Sequence, residues 1–468
     1  MSIWGPRKGV GNTGAKSGHA LRRTLSWPHL ICLGVGAIVG TGIYTLIGVG
    51  AERAGPGVLL AFVIAGAVCV CAALAYAELA TLIPASGSAY TYTYTVVGER
   101  PAWIVGWSLI LEYTVVCSAV AVGWSGYAAG FLQSAGVHLP EALLVGPHSG
   151  GIVNLPAVLI VLAVAGLLLA GARESATINA VLVLVKIAAL ATFVVLAAPA
   201  IQADNFEPFM PYGFLAHTDA EGTTRGVMAA AAIIFFAFYG FDAVSTASEE
   251  TINPGRDLTI GIVGSMIACT IIYMAVAGAA LGAAPFQALA ASSEPLAHVL
   301  RSLGHRGPAV LIGAAAVIAL PTVILAFMYG QSRIFFAMAR DGLLPTRLAR
   351  VSASGTPTAV TIGTAAVVAV IAGLLPLSEL AELANAGTLA AFVAVGACLL
   401  VLRVREPELP RVFRAPWPWV VGPLAIAGCL YLFASLPAGT QLRFFVWNIA
   451  GIAVYLLYSR RNSNLRTS

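Results

Sequence analysis

The sequence is poor in charged residues. Of its 468 residues, 10% are Asp, Glu, Lys or Arg, whereas 59% are hydrophobic. A typical soluble globular domain has about 25% charged and about 45–50% apolar residues, so this composition excludes that class. Lysine is especially scarce, because the chain contains only Lys8, Lys16 and Lys186.

The sequence also lacks the residue patterns of metal, disulfide and catalytic sites. Its seven cysteines all lie inside apolar stretches, in a spacing that matches neither a disulfide framework nor a metal site. They are interpreted as small packing residues. No histidine pair has metal-ligand spacing, and no Ser/His/Asp set lies within the apolar stretches. The sequence therefore predicts no cofactor, no metal and no enzymatic activity.

Long apolar runs take up most of the chain. Each is about 20 residues long, which is enough to cross a hydrocarbon core of about 30 Å. Twelve membrane-spanning helices are predicted, at residues 30–50, 57–83, 101–132, 152–171, 178–199, 226–249, 258–283, 308–338, 357–375, 384–402, 417–436 and 442–459. The predicted fold is an all-α integral membrane domain over residues 26–459. Residues 1–25 are predicted to be a disordered tail, and residues 460–468 a second tail.

Positive charge is unevenly distributed between the predicted loops. With a cytoplasmic N-terminus, 19 Lys and Arg residues fall on the inside and 5 on the outside, and Lys186 lies within a run. Membrane proteins keep Lys and Arg on the cytoplasmic side. The sequence thus predicts a multi-pass protein of the inner (plasma) membrane with both termini in the cytoplasm. The same bias explains the net charge of +5 without a nucleic-acid partner.

Four glycines interrupt the first apolar run, at positions 34, 36, 40 and 42. A glycine destabilises a helix by roughly 1 kcal/mol relative to alanine, and in lipid every freed backbone group needs a partner. One interpretation is a helix-packing face that contains Gly36 and Gly40. The other is an unwound segment at residues 39–42, where free amides favour a carboxylate and free carbonyls favour an ammonium. Such a break offers both poles of an α-amino acid.

The sixth run is interrupted in the same way, by Gly240 and Asp242 near its middle. An interrupted helix is therefore the first of runs 1–5 (residues 30–199), and a second interrupted helix is the first of runs 6–10 (residues 226–402). Because five is odd, the second set crosses the membrane in the opposite direction to the first. Paired interrupted helices in matching positions indicate an inverted-repeat transporter with a substrate site near the midplane. Runs 11 and 12 (residues 417–459) lie outside the repeat.

Three ionisable residues lie deep in the predicted helices. A charge at the bilayer centre costs roughly 2.5–3.5 kcal/mol, so Lys186 either extends to the interface or is buried and exchanges a proton during transport. Its ammonium could also stand in the place of a sodium ion. Glu112 is expected to pair with Lys186, to line the pathway or to make a structural hydrogen bond, and Asp242 to be a proton site or a helix cap. The candidate proton-coupling residues are Lys186, Glu112 and Asp242.

Several motifs occur in an order that resembles a known group of transporters. They are GVGAIVGTGI at 34–43, YAEL at 76–79, PASGSAY at 84–90, GWSLILEY at 106–113, YGFDAVST at 239–246, the Asn-Pro pair at 253–254, and the stretch from 333 to 345 that ends in ARDGLLP. Over about residues 25–459 the chain resembles the amino acid–polyamine–organocation superfamily, in particular bacterial members of its cationic amino acid transporter family.

The resemblance implies a LeuT-like fold of two inverted five-helix repeats, with helices 1 and 6 broken at the midplane. It places the substrate carboxylate on the amides around Thr41 and Gly42, and Phe236 as an aromatic lid over the substrate. It also aligns Lys186 with the lysine that replaces a sodium ion in proton-coupled relatives. The implied substrate-binding residues are Ile38, Gly40, Thr41, Gly42, Phe236, Ala237 and Tyr239. The α-ammonium would meet carbonyls of the first and sixth helices.

The sequence differs from its relatives in two respects. Thr259 stands where many of them have proline, and twelve spans are predicted instead of the fourteen common in the animal branch. The second difference weakens the transfer of arginine or lysine specificity. A cationic side chain needs an acid, and only Glu112 and Asp242 are deep enough, whereas four apolar residues favour a small apolar side chain: Phe236, Phe238, Phe327 and Met328. A neutral or broad substrate range is slightly favoured.

The predicted function is import of L-amino acids by proton symport with alternating access. An obligate amino acid exchanger on the same fold is the nearest alternative, and a nutrient sensor is a more distant one. The expected partners are the amino acid, protons and the lipid bilayer. The identity of any small membrane-protein partner and the oligomeric state stay open.

Overall fold

The computed structural model describes residues 6–7, 25–84, 87–170, 176–220, 222–248, 251–349 and 358–464, which are mostly helical. The predicted N-terminal tail, residues 1–25, lies outside the described residues except for three positions. The helices of the first half are α1 (Trp27–Ile38), α2 (Thr41–Tyr44), α3 (Leu46–Ala54), α4 (Val58–Leu82), α5 (Ser88–Val96), α6 (Glu99–Ser134), α7 (Leu155–Leu169) and α8 (Ala176–Ala197).

The second half continues the helical pattern. Its helices are α9 (Val227–Ile234), α10 (Phe241–Thr246), α11 (Pro254–Ala283), α12 (Phe286–Ala290), α13 (Pro295–Ser302), α14 (Arg306–Arg340), α15 (Thr358–Leu374), α16 (Leu377–Arg405), α17 (Pro418–Ala434), α18 (Ala438–Val454) and α19 (Arg460–Asn462). Between α8 and α9, the strands β1 (His217–Thr218) and β2 (Thr224–Arg225) pair antiparallel, with His217 opposite Arg225.

Among the described residues, eight helical segments are long and apolar enough to cross a membrane. They are Leu46–Leu82, Glu99–Ser134, Ala180–Ala200, Val227–Ser245, Pro254–Ala283, Arg306–Arg340, Leu377–Arg405 and Ala438–Asn462. Four shorter apolar helices, namely α1, α7, α15 and α17, coincide with the remaining predicted runs. The helical membrane domain is thus confirmed in the described part of the chain, whereas the number of twelve crossings stays a prediction.

Local sequence signals set several helix ends. The Asn154 side chain accepts a hydrogen bond from the Ala157 amide at 3.2 Å and caps α7, as expected for an asparagine that precedes a helix. Proline starts α11 at Pro254, where a missing amide proton costs nothing. Gly55 ends α3 with φ +59°, a conformation that other residues rarely adopt.

Two groups of helices can be distinguished by their contacts. In one group α11 packs against α1, α4 and α10, and α4 packs against α9. In the other group α6 packs along α14 and contacts α7 and α15. The interrupted helices thus belong to one group and the long uninterrupted helix α6 to the other. The interface between the groups is where the candidate site lies.

Many large apolar side chains on these helices face outward. Leu159 on α7 is 56% exposed, Ile271 on α11 65% and Leu311 on α14 67%. Apolar exposure on this scale would be unfavourable in water. It matches the surface that lipid covers in a membrane protein.

Buried ion pairs tie the ends of distant segments together. The Glu78 carboxylate at the end of α4 accepts hydrogen bonds from Arg403 at 2.6 Å and from Arg411 at 3.0 Å. At the opposite end of the helices, Arg53 of α3 pairs with Glu382 of α16. A buried charge left without its partner costs several kcal/mol, so both pairs hold specific segments in place.

Candidate functional site: a cavity between two interrupted helices

The first interruption lies between α1 and α2. The helix α1 ends at Ile38, and Gly40 is extended, with φ −148° and ψ −145°, before α2 begins at Thr41. The amides of Ile43 and Tyr44 both reach the Gly40 carbonyl, at 3.2 and 3.3 Å. The amides of the preceding residues lie in the first turn, where a helix provides no intrahelical acceptor. The predicted unwinding around residues 39–42 is therefore present over two residues.

The second interruption lies between α9 and α10. The helix tightens into a 3-10 turn at Phe235–Ala237, and α10 begins at Phe241. Gly240 has φ +119° and ends the irregular stretch. Only glycine adopts this conformation without steric cost. The glycine predicted to interrupt the sixth run is thus located at the turn.

The two interruptions pack against each other through their glycines. A Cβ on Gly240 would lie 2.9 Å from the carbonyl carbon of Ala37, and a Cβ on Gly42 would overlap the backbone of Ala237. Each break therefore needs glycine so that the other broken helix can approach. This reciprocal contact explains why glycine occurs in both interrupted helices.

A small cavity lies where the breaks meet. Its lining residues are Ala37, Ile38, Gly40, Thr41, Gly42, Val116, Val120, Phe236, Tyr239, Val323 and Phe327. Six of the seven predicted substrate-binding residues are among them, and Ala237 lies beside the cavity without lining it. The cavity has room for about one water molecule. An amino acid would need the cavity walls to move apart.

Two hydroxyl groups at the cavity wall are unsatisfied. Thr41 Oγ1 and Tyr239 Oη are buried and have no hydrogen-bond partner among the described residues. Buried polar atoms without partners are rare, because each loses its hydrogen bonds to water. Both hydroxyls belong to residues that line the cavity.

Tyr273 on α11 connects the two breaks, and sequence reasoning missed it. Its hydroxyl lies 2.7 Å from the Ile38 carbonyl at the end of α1 and 2.8 Å from the Ala237 carbonyl at the end of the 3-10 turn. A hydroxyl has one proton and can donate it to only one of them at a time. A signal was present in the sequence, because a tyrosine in the middle of an apolar run needs a partner for its hydroxyl.

Lys186 is fully buried on α8 and contacts the first interrupted helix. Its ammonium donates to the Gly36 carbonyl at 2.9 Å and lies 3.4 Å from Thr322 Oγ1 on α14. Gly36 is two residues before the last residue of α1. The ammonium therefore holds the end of α1 beside the cavity, although Lys186 does not line the cavity itself.

Glu112 and Asp242 lie outside the cavity lining. Asp242 accepts a hydrogen bond from Tyr113 Oη at 3.2 Å and one from the Gly240 amide at 3.2 Å. Neither carboxylate oxygen of Glu112 has a hydrogen-bond partner among the described residues. Asp242 thus caps the start of α10, as one interpretation predicted. A hydrogen bond between Glu112 and Lys186, which the sequence offered as one alternative, is absent from the described contacts.

Apolar side chains form most of the remaining wall. Phe236 and Phe327 line the cavity, as do Val116 and Val120 of α6. The sequence also proposed Phe238 and Met328 as apolar pocket residues, and both are buried elsewhere.

Comparison with known proteins identifies the family. The profile of the amino acid permease family matches residues 25–457. The chain is 45% identical over 451 residues to the branched-chain amino acid permease BcaP of Bacillus subtilis (strain 168), which covers 95% of each chain. It is 42% identical over 450 residues to the methylthioribose transporter of the same organism, again covering 95% of each chain.

A plant relative extends the comparison. The chain is 35% identical over 401 residues to the vacuolar cationic amino acid transporter 4 of Arabidopsis thaliana, covering 83% of this chain and 65% of the plant protein. The sequence motifs, the helical membrane domain and these matches agree. The chain belongs to the amino acid permease family of the amino acid–polyamine–organocation superfamily, and it is a multi-pass membrane transporter rather than an enzyme.

Proposed function

We propose that this permease imports neutral amino acids with small or branched apolar side chains across the plasma membrane, by proton symport. The cavity between the two interrupted helices supports this proposal most strongly, because backbone groups of both polarities border it. The described wall is otherwise largely apolar. A zwitterion with an apolar side chain matches that combination.

The two poles of the amino acid bind different helices in this proposal. The carboxylate is held by the amides of Thr41 and Gly42, together with the unsatisfied Thr41 hydroxyl. The ammonium binds the carbonyls of Ile38 and Ala237, where it replaces the Tyr273 hydroxyl. Hydrogen bonds to charged groups contribute about 1.5–3 kcal/mol, which is enough to outcompete a neutral hydroxyl.

The side chain of the substrate lies against apolar residues. Phe236 covers it, and Val116, Val120 and Phe327 form the wall around it. Because neither Glu112 nor Asp242 lines the cavity, a cationic side chain would lack a counter-charge in the described wall. The similarity to a relative named for branched-chain amino acids supports the same substrate class.

Proton coupling acts through Lys186 in this proposal. The protonated ammonium donates to the Gly36 carbonyl and holds α1. Loss of the proton would weaken that hydrogen bond, because a neutral amine is a poorer donor than an ammonium. The protonation state of Lys186 thus biases the position of α1 and couples proton movement to transport.

Alternating access would use the two helix groups. The group that contains the interrupted helices moves against the group around α6, in a LeuT-like arrangement of two inverted repeats. Twelve crossings with both termini in the cytoplasm fit this proposal, and the bias of Lys and Arg towards the predicted inner loops supports that orientation.

Flux measurements in proteoliposomes test the proposal. With leucine as the probe and an acidic exterior, the wild-type protein should accumulate leucine without internal substrate. Lys186→Met should lose accumulation but retain exchange of leucine across the membrane, because the binding cavity is intact. A matched control is Thr192→Val, which changes an exposed side chain on the same helix.

Three outcomes would each contradict one part of the proposal. Accumulation by Lys186→Met with an unchanged pH dependence would exclude the coupling role of Lys186. Uptake that requires preloaded amino acid and ignores the pH gradient would show an obligate exchanger. Saturable leucine binding without flux would show a sensor.

The substrate class needs a separate measurement. Thermal unfolding of the purified protein with each of the twenty amino acids, and with methylthioribose, should show stabilisation by leucine, isoleucine, valine or alanine. Ligands that bind the folded state raise its stability by mass action. Selective stabilisation by arginine and lysine would overturn the neutral substrate class.

A further inference from the structure

A buried asparagine on α16, outside the cavity lining, contacts the end of α9. Asn385 is fully buried. Its Nδ2 atom donates to the Ala232 carbonyl at 2.7 Å and to the Ile233 carbonyl at 3.1 Å. Both carbonyls belong to the last turn of α9, which ends at Ile234. The last four carbonyls of a helix have no intrahelical partner, so Asn385 supplies a donor for two of them.

These two carbonyls set the orientation of the Asn385 amide. An amide group donates through its nitrogen and accepts through its oxygen. If the group were flipped, its oxygen would face two carbonyl oxygens. In the observed orientation, the Oδ1 atom is buried and has no hydrogen-bond partner among the described residues. Buried polar atoms without partners are rare, so the contact with α9 is kept although it leaves the amide oxygen unsatisfied.

The segment that follows α9 carries contacts of the cavity. The 3-10 turn Phe235–Ala237 begins where α9 ends. Phe236 lines the cavity, and Ala237 lies beside it. Helix α16 also contacts this turn, because the Phe392 ring lies 5.7 Å from the Phe235 ring. The packing of α9 on α16 therefore determines where the Phe236 ring and the Ala237 carbonyl stand at the cavity.

Lys186 makes the corresponding contact on the other interrupted helix. Its ammonium donates to the Gly36 carbonyl, two residues before the end of α1, and Ala232 is two residues before the end of α9. In the proposed inverted repeat, α8 and α16 are the fifth helices of the two halves, and they carry these two donors. The lysine can lose a proton, whereas the asparagine amide does not titrate. One interrupted helix is thus held by a titratable donor and the other by a donor of constant charge.

We propose that Asn385 is a positioning residue for the ammonium of the amino acid. It holds the end of α9 so that the Ala237 carbonyl faces the ammonium, and it acts on affinity without taking part in proton coupling. The proposal rests on the proposed function, because it uses the assignment of the ammonium to the carbonyls of Ile38 and Ala237.

Binding of two ligands to the purified protein tests this role. The ligands are leucine and 4-methylpentanoate, which has the carboxylate and side chain of leucine but no ammonium. Asn385→Leu removes the amide donors and keeps a side chain of similar shape. It should weaken leucine binding by about 10-fold, the lower end for one hydrogen bond to a charged group, and change 4-methylpentanoate binding by less than about twofold.

A second substitution avoids the added apolar bulk of leucine. Asn385→Ser should show the same selective loss of leucine binding. A serine hydroxyl inside a helix bonds to a carbonyl of its own helix, as the Thr388 hydroxyl does to the Ala384 carbonyl at 3.2 Å. The contact with α9 is therefore lost in this variant as well.

The matched control removes the same kind of contact elsewhere. Asn205 Nδ2 donates to the Gly282 carbonyl at 2.7 Å, next to the last residue of α11. Neither residue lines the cavity. Asn205→Leu should therefore bind leucine and 4-methylpentanoate as the wild type does. A selective loss of leucine binding in this control would overturn the specific role of Asn385.

Transport measurements separate Asn385 from Lys186. In proteoliposomes, Asn385→Leu should raise the KM for leucine by about 10-fold. The pH of half-maximal uptake, measured at saturating leucine, should stay as in the wild type, because no titratable group has been removed. A shift of that pH in Asn385→Leu would overturn a role in affinity alone.

The outcomes distinguish the positioning role from the proposed function. If the wild type binds 4-methylpentanoate as tightly as leucine, recognition of the ammonium is wrong, and the positioning role fails with it. If the wild type prefers leucine and both Asn385 variants keep that preference, the positioning role is wrong and the proposed function stands. Equal losses of both ligands in the two variants would also overturn it, because they would show a general structural role.

Discussion

Replacement of Tyr273 by phenylalanine should lower the stability of the substrate-free protein and strengthen amino acid binding. The hydroxyl lies 2.7 and 2.8 Å from the carbonyls of Ile38 and Ala237. Tyr273→Phe removes one neutral hydrogen bond, which is worth about 0.5–1.5 kcal/mol. An ammonium that binds these carbonyls no longer has to displace the hydroxyl. The dissociation constant for leucine should then fall by about 2- to 10-fold.

Isothermal titration and thermal unfolding measure the two effects on the same purified sample. Without leucine, Tyr273→Phe should unfold at a lower temperature than the wild type. At saturating leucine, the difference between the two unfolding temperatures should be smaller. Tyr431→Phe is the control, because Tyr431 is 47% exposed on α17. Weaker leucine binding by Tyr273→Phe, with Tyr431→Phe unchanged, would refute competition between the hydroxyl and the ammonium.

Three further substitutions test the packing around the site. Gly42→Ala should abolish leucine uptake, because the added methyl group overlaps the Ala237 backbone. The control Gly278→Ala should retain uptake. Equal uptake by the two variants would contradict the close contact of the two breaks. Gly240→Ala should lower stability by about 1 kcal/mol or more, since alanine at φ +119° is strained; an unchanged unfolding temperature would contradict this geometry. Glu78→Gln should lower the free energy of unfolding by about 3–5 kcal/mol, because Arg403 and Arg411 lose their counter-charge. As a control, Glu141→Gln changes an exposed side chain and should unfold like the wild type. Wild-type stability of Glu78→Gln would show that the ion pairs contribute little.

The interrupted helices were predictable because their cause is local. Gly40, Gly42 and Gly240 are glycines inside apolar runs, and each weakens the helix where it stands. The structure confirms irregular backbone at residues 39–40 and 238–240. The apolar runs predicted helices for the same reason, since their length and composition are properties of the sequence alone.

Contacts between distant helices were not predictable in the same way. Tyr273 lies 235 positions from Ile38 in the sequence, and only the packing of α11 against both breaks brings its hydroxyl to them. The proximity of Lys186 to Gly36, rather than to Glu112, depends equally on how α8 packs. A single sequence indicates that a buried charge or hydroxyl needs a partner, but the identity of the partner is a property of the assembled helices.

The turn between the first two runs shows the same limit of prediction from a single sequence. The first and second runs were predicted as separate helices, and in the structure α3 ends at Ala54 and α4 begins at Val58 with a 3-10 turn at Gly55–Gly57 between them. Gly55 and Pro56 predict a turn, but the local sequence does not determine whether that turn separates two helices or links them.

The central claim is that the cavity between the two breaks binds both poles of an amino acid, and leucine analogues test it most directly. Binding of leucine to the purified protein is compared with binding of 3-methylbutylamine, which lacks the carboxylate, and of 4-methylpentanoate, which lacks the ammonium. Each missing charged hydrogen bond should weaken binding by about 10- to 100-fold. Binding of either analogue as tight as that of leucine would contradict the claim.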